Sequence, residues 1–425
     1  MNRHLPKKTG HGVRNALAAC AAASMLAVSG AASAGVIKVG VSLRMKTETG
    51  EKYGQMVVDE FEAINAAGGI NGHTFEVKLL NDECKSDIGV ANATKFAYQD
   101  NVHLFIGSSC SSVSLPIVDV LHKAGGPMLI PHSTNYKITL KGSPWVYRVP
   151  ISSRFSAAAA AKYTAENIGT KIAYIWASDA ASQADAQKFF EYIETFHGEG
   201  PVYAEQFQEG ELDLRAHLLK IKAMKPEALM ISAQSQDFAR GLVQSYEVGI
   251  PPSVKRIGGS AASNRPAPIL SGDAIKGVFF HAAFSYADPD PKVAEFVKMT
   301  AERYGVANPD HDFSQAWDSV HVARIAIEGA ELTLTDDSLA ADRAAIRDAL
   351  GSVTGYVTLG GGVVDFCADA TPECRDGNKT PVLIEYTKGG EDYEIRVIGK
   401  TTFGADFGLA SMAEEAEKLR ESLDN

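Results

Sequence analysis

Two apolar runs are each followed at once by hydroxyl-rich clusters. Leu104-Phe105-Ile106 leads to Ser108-Ser109-Cys110-Ser111-Ser112, and Met128-Leu129-Ile130 leads through Pro131 to His132-Ser133-Thr134. Hydroxyls and backbone N–H groups where a loop enters a helix suit a carboxylate, because the helix dipole favours negative charge at its N-terminus. Ser111 stands where such a helix is expected to begin, although Ser and Thr there also serve as plain N-caps. Catalytic chemistry has no comparable support. The chain contains no H-E-x-x-H, no G-x-S-x-G, no Walker loop and no G-x-G-x-x-G, its eleven histidines are scattered, and C-x-x-C is absent. Gly360-Gly361-Gly362 reads as a turn between strands. We therefore expect a binding protein, not an enzyme, with no cofactor and no metal.

The elements that must position these clusters alternate. Val36–Leu43 is β-rich, Gly54–Ala67 carries apolar residues at helical spacing, and Gly68-Gly69-Ile70-Asn71-Gly72 ends that helix. Strands at Phe75–Leu79, Val102–Ile106 and Met128–Ile130 enclose helices at Asp87–Tyr98 and Ser112–Lys123. After Pro150 a second series begins. Helices at 157–161, 184–196, 212–224 and 238–248 alternate with strands at 171–176, 202–207, 228–232 and 256–258. Helices return at 293–304, 313–330 and 339–350, residues 351–398 are Gly-rich and strand-like, and an acidic amphipathic helix at 410–423 is expected to face solvent. This pattern predicts an α/β fold with parallel sheets flanked by helices.

Arg3, Lys7, Lys8 and Arg14 precede the apolar stretch Ala16–Val28 and the small-residue triplet Ala32-Ser33-Ala34. That is the pattern of a signal peptide (residues 1–34) cleaved after Ala34, which directs a soluble chain to the periplasm. The lipobox-like Leu17-Ala18-Ala19-Cys20 is rejected because the apolar core follows Cys20. Removing four basic and no acidic side chains lowers the formal charge from −11 to −15, which argues against nucleic acid or anionic lipid as a partner. The remaining cysteines, Cys84, Cys110, Cys367 and Cys374, are even in number. Two local disulfides, Cys84–Cys110 and Cys367–Cys374, are expected in preference to metal ligation.

The runs Leu104–Ser112 and Leu129–Thr134, with Ile64-Asn65-Ala66-Ala67-Gly68-Gly69-Ile70-Asn71-Gly72 and Asn81-Asp82-Glu83-Cys84, resemble the leucine/isoleucine/valine-binding branch of periplasmic ABC-transporter solute receptors. The resemblance implies a type I periplasmic binding protein: two Rossmann-like lobes joined by three hinge strands, with ligand held between them. It implies a first lobe of residues 35–151 plus 284–357, a second of 152–283 plus 358–400, and a tail at 401–425. By motif match Ser111 and Thr134 bind carboxylate, His132 contributes backbone groups, and Ser109 and Ser133 belong to the same loops. Cys84 and Cys110 match the family's disulfide. Tyr53 and Trp317 match aromatic wall positions, for which ordinary helix packing is the alternative.

Departures from the family concern the ligand. Ser260 stands where an ammonium-binding acid is usual, Ala180-Ala181-Ser182 and Gln234 stand where aromatic residues are common, and Leu43-Arg44-Met45-Lys46-Thr47 replaces a small loop. Arg44 is either a second anion contact or an exposed loop charge. A buried ammonium without a counter-charge is costly. Either Asp179 or Asp237 then substitutes, or the ligand lacks an ammonium and carboxylates without one bind better than leucine or valine. The expected function is that of a monomeric receptor for a small carboxylate (amino acid, oxo acid or aromatic acid), working with inner-membrane ABC permease subunits. A sensory ligand-binding subunit and an exported enzyme are the rivals.

Overall fold

The computed structural model describes residues 35–47, 49–366, 374–404, 407–408 and 410–424. The expected signal peptide and Cys367 lie outside them.

The first series of apolar runs forms a parallel sheet of β1 (Val36–Leu43), β2 (Thr74–Asn81), β3 (Leu104–Gly107), β4 (Met128–Ile130) and β5 (Val146–Arg148), in the order β2-β1-β3-β4-β5. Its connections carry α1 (Gly50–Ala66), α2 (Ser86–Tyr98), α3 (Ser111–Ala124) and α4 (Lys137–Leu140). The second series opens with α5 (Ser153–Asn167), whose Ala157–Ala161 run is buried and which packs against the helix after the next strand. Then come β6 (Ile172–Ala177), α6 (Ala180–His197), β7 (Tyr203–Phe207), α7 (Arg215–Met224) and β8 (Ala228–Ser232). They are followed by α8 (Ser235–Glu247), β9 (Lys255–Gly258), α9 (Pro266–Ser271) and β10 (Phe279–Ala282).

α10 (Pro291–Tyr304), α11 (His311–Gly329) and α12 (Leu339–Gly351) return to the first sheet, where Val293, Phe296, Phe313, Val320 and Ile346 share a core with Ile37, Val39 and Val41. A short ladder, β11 (Tyr356–Val357) with β12 (Val363–Val364), precedes β13 (Val382–Lys388) and β14 (Glu394–Lys400). These last two add antiparallel edges to the second sheet, whose order is β14-β13-β10-β9-β8-β6-β7. The chain described ends in α13 (Ala413–Asp424).

The parallel part of the second sheet repeats the winding of the first. Each reverses direction once, between β1 and β3 and between β6 and β8. At such a reversal the loops leaving two neighbouring strands run to opposite faces, and a crevice opens at the strands' carboxyl ends. The hydroxyl clusters follow β3 and β4, so the topology itself delivers them to a crevice.

Where the chain crosses from the first sheet to the second, Arg148 is fully buried and paired. Its guanidinium donates to the carbonyls of Ser133 (3.1 Å) and Asn135 (2.8 Å), to Thr139 Oγ1 (2.7 Å) and to Asp376 Oδ1 (2.8 Å). A buried guanidinium is tolerable when its donors are used and its charge is matched. Here it clamps the backbone on both sides of Thr134.

Cys84 and Cys110 are joined, which fastens the loop after β2 to the start of α3. Closing a loop of this length stabilises by about 3–4 kcal/mol on a chain-entropy argument. Cys374 is also disulfide-bonded.

The tail differs from the solvated helix expected. Met412, Ala416 and Leu419 pack with Tyr136 and Leu140 around α4 and with Ala184 of α6, and Leu423 joins the core beneath α3. Glu415 accepts from Tyr136 Oη (2.8 Å) and pairs with Lys137 (2.8 Å). The reason is in the spacing: residues 412, 416, 419 and 423 make one apolar stripe on a charged helix, and such a stripe is stabilised by burial.

Candidate functional site

The crevice holds an inner chamber of about 50 Å3, built from loops at the carboxyl ends of both sheets. From the first sheet come Arg44 after β1, Ser109, Cys110 and Ser111 after β3, and His132 and Thr134 after β4. From the second come Ala181, Ser182 and Asp185 of α6, Ser232 and Gln234 at the end of β8, and Ser260, Ala261 and Asn264 after β9. His311 and Asp312 close one side from the first turn of α11. One water needs about 10–15 Å3 on this measure, so the chamber fits only a handful of non-hydrogen atoms. Arg44, Gln234, Asn264 and Asp312 also border an outer chamber of about 300 Å3, which Glu209 and Asp237 help to line.

The loop after β3 is held from beneath. Asp82 accepts from Ser108 Oγ at 2.5 Å, Ser133 Oγ donates to the Ser108 carbonyl at 2.9 Å, and Ser114 Oγ meets Ser133 Oγ at 2.8 Å. Ser133 is thereby spent inside the protein and does not line the chamber. Ser111 Oγ accepts from the Asn135 amide at 3.2 Å, so the two loops are pinned to each other beside the space they line.

His132 sits between two partners, with Nε2 2.7 Å from the Asp312 carbonyl and Nδ1 3.2 Å from Ser109 Oγ. Burial lowers its pKa against the raising influence of Asp312, and Nε2 donates to the Asp312 carbonyl. Burial also opposes charge on Asp312, but His132, then His311 at 3.2 Å and Arg44 at 4.0 Å, hold its carboxyl well below the usual range. Arg44 also donates to Gln234 Oε1 (3.4 Å), a contact across the crevice.

Ser109, Ser111, His132, Thr134, Gln234 and Ser260 line this one chamber together with Arg44. Tyr53 is not on its surface. It is fully buried behind it, with Oη donating to the Arg44 carbonyl at 2.7 Å and its ring edge-on to His132 at 5.1 Å. Trp317 faces elsewhere and lines a separate groove of about 400 Å3 with Phe296, His321 and Tyr356. The reason is helical phase. Trp317 is five residues beyond Asp312, about 140° round the helix from the face that meets the chamber. Among the described residues, no aromatic carbocycle and no branched aliphatic side chain lines the inner chamber.

Of the two aspartates offered as substitutes for an ammonium-binding acid, Asp237 uses both oxygens, whereas Asp179 uses Oδ1 and leaves its buried Oδ2 without a partner among the described residues; neither lines the inner chamber. Asp179 caps α6, accepting from the Ala181 and Ser182 amides at 3.1 Å, and Asp237 pairs with Arg240 at 2.6 Å and accepts from Gly210. Asp185, Ser232, Ala233, Ala261, Asn264, His311 and Asp312 are the lining residues that sequence reasoning missed. Asp185 was readable: Ser182, Asp185, Phe189 and Ile193 are buried at helical spacing, which puts a carboxylate in the register of an apolar face.

This geometry defines a class: a polar crevice between two doubly wound sheets, built to enclose a small solute. The family model for "periplasmic binding protein" matches residues 36–375, and the chain belongs to that family, whose members are solute-binding proteins, not enzymes. An "amino acid binding protein" of Pseudomonas aeruginosa is 28% identical over 241 residues, 56% of this chain and 64% of that protein. The chain therefore spans less than two thirds of that relative's length. Two solved structures share the fold at a TM-score of 0.72 each. One is the branched-chain amino acid transporter substrate-binding protein LivJ of Streptococcus pneumoniae with isoleucine (22% identity, 87% of this chain and 99% of that one). The other is an ABC-transporter solute-binding protein of Rhodopseudomonas palustris with 3,4-dihydroxybenzoic acid (20% identity, 86% and 97%). No helix among the described residues is long and apolar enough to cross a membrane.

Proposed function

We propose that the protein is the exported solute receptor of an ABC importer and closes over a small carboxylate-bearing metabolite without transforming it. The carrying observation is the inner chamber, where Ser111 and Thr134 at the N-terminal side of α3 meet polar groups from the second sheet. Hydroxyls, N–H groups and the dipole of a 14-residue helix are what a carboxylate requires. Closure is a hinge motion between lobes, divided as the sequence suggests at residues 151–152, 283–284 and 357–358, and affinity then rests on contacts made from both sides. The related proteins bind an amino acid and an aromatic acid, which supports the carboxylate and leaves the rest of the ligand open.

The lining narrows that remainder. A chamber walled by alanines and polar side chains, without branched aliphatic side chains or aromatic carbocycles, gives little for a leucine or valine side chain to pack against, so hydrophilic ligands are favoured. The periplasm, the permease subunits and action as a monomer belong to the same reading.

A thermal-shift screen of amino acids, 2-oxo acids, aromatic acids and amides tests it. At least one acid should raise the melting temperature and be recovered unchanged. Stabilisation by none of them, or conversion of one, would remove the receptor reading. Co-purification with membrane permease subunits, rather than with a signalling protein, separates importer from sensor.

A further inference from the structure

Asp185 is the side chain in the chamber with the least explanation. It is 2% exposed, and one oxygen accepts from Ser232 Oγ at 3.3 Å while the other, Oδ1, has no hydrogen-bond partner among the described residues. A buried carboxylate oxygen left unpaired costs free energy, so its retention calls for a partner that arrives from outside. The neighbouring protein groups do not supply one. His281 Nε2 lies 3.6 Å from the other oxygen, Oδ2, beyond hydrogen-bond reach, and has no partner of its own among the described residues. The nearby cation Arg44 is turned to Asp312 and Gln234. The Ser260 backbone amide faces the carboxylate and does not neutralise it. Space beside Asp185 is kept open by Gly259, where a Cβ would lie 2.7 Å from Ser232 Oγ and 3.2 Å from Asp185 Oδ2.

We propose that Asp185 anchors an ammonium or other N–H-donating group of the ligand, which makes the inner chamber a site for short bipolar molecules whose carboxylate faces Ser111 and Thr134. This rests on the receptor reading and adds the second pole. It also reverses an expectation. Ser260 does leave the usual position without an acid, but a different acid, one helix away, faces the same space, so an ammonium entering the crevice does not go unpaired. Burial holds the Asp185 carboxyl up at about 7, as fits a group whose balancing charge is not part of the chain. The chamber's volume limits the ligand to a few non-hydrogen atoms, and its polar lining favours a hydrophilic or very short side chain.

Three three-carbon acids that differ at one position make the test: L-alanine, pyruvate and propionate, titrated calorimetrically into wild-type protein and Asp185→Asn. Wild type should bind L-alanine at least tenfold more tightly than either other acid. In Asp185→Asn that preference should fall by tenfold or more while propionate affinity stays within twofold. An unchanged preference in the variant, or equal binding of all three acids by wild type, overturns the proposal. So does wild-type failure to bind L-alanine while a longer acid binds, a result that leaves the receptor reading standing. If none of the three acids and no acid of the wider screen binds, the receptor reading falls as well. Melting curves of both proteins without ligand verify that the variant is folded.

Discussion

Asp185 and its surroundings exemplify a site kept at the expense of stability. A carboxyl whose pKa is raised by burial from an ordinary value near 4 to about 7 binds more protons folded than unfolded across that window. Ionising it therefore destabilises the ligand-free fold progressively as pH rises from about 4 to about 7. The titratable groups around it, Asp179 at the start of its own helix, Tyr174 on β6 and His281 on β10, are common to wild type and variant. Asp185→Asn should thus melt several degrees above wild type at about pH 8, and the gap should close toward about pH 4. Melts of the two ligand-free proteins across that range check this. A gap independent of pH would mean that the carboxylate is balanced in a way not accounted for.

Element by element, the fold positions the site through strand ends and helix starts, and one helix does so unexpectedly. α13 touches α4, beside the Thr134 loop, and α6, which carries Asp185. Removing residues 410–425 should lower the melting temperature by several degrees, since it uncovers Tyr136, Leu140 and the face of Ala184. Differential scanning calorimetry of the truncated chain measures it, and an unchanged melting temperature would show that the stripe contributes nothing. Trp317→Ala should leave ligand affinity within about twofold, because the indole lies in another groove; a tenfold loss by calorimetry would return it to the ligand site.

Much of this was legible beforehand. The long periodic helices lie within a few residues of their expected bounds, and the loops after β3 and β4 were recognisable as hydroxyls following buried strands. What was not legible has local causes. β5 and β10, with three and four residues, are too short to show a period, and His281 interrupts the latter. Trp317 was assigned to the right helix and the wrong face. Asp310-His311-Asp312 reads as a polar helix start, and only the fold turns its second and third members into a wall of the site.

For the whole molecule, the repeated winding of two sheets explains why one small space collects polar groups from so many loops. Contacts that reach across the crevice, Arg44 to Gln234, Asn135 Nδ2 to the Ala180 carbonyl at 2.7 Å, and Ser263 to His311, join the two halves around it. Binding energy in such an arrangement is gained when both halves engage one solute, so damaging one half's subsite should be felt in full. Removing a hydrogen bond to a charged group costs about 1.5–3 kcal/mol, a loss of at least tenfold in affinity for each of Ser111 and Thr134. The most direct test of the account is a calorimetric titration of the best-stabilising small carboxylate into wild type and into the Ser111→Ala/Thr134→Ala double variant. The account predicts one-to-one binding by wild type and a loss of about a hundredfold or more in the folded variant. Equal affinity in the two proteins would contradict it.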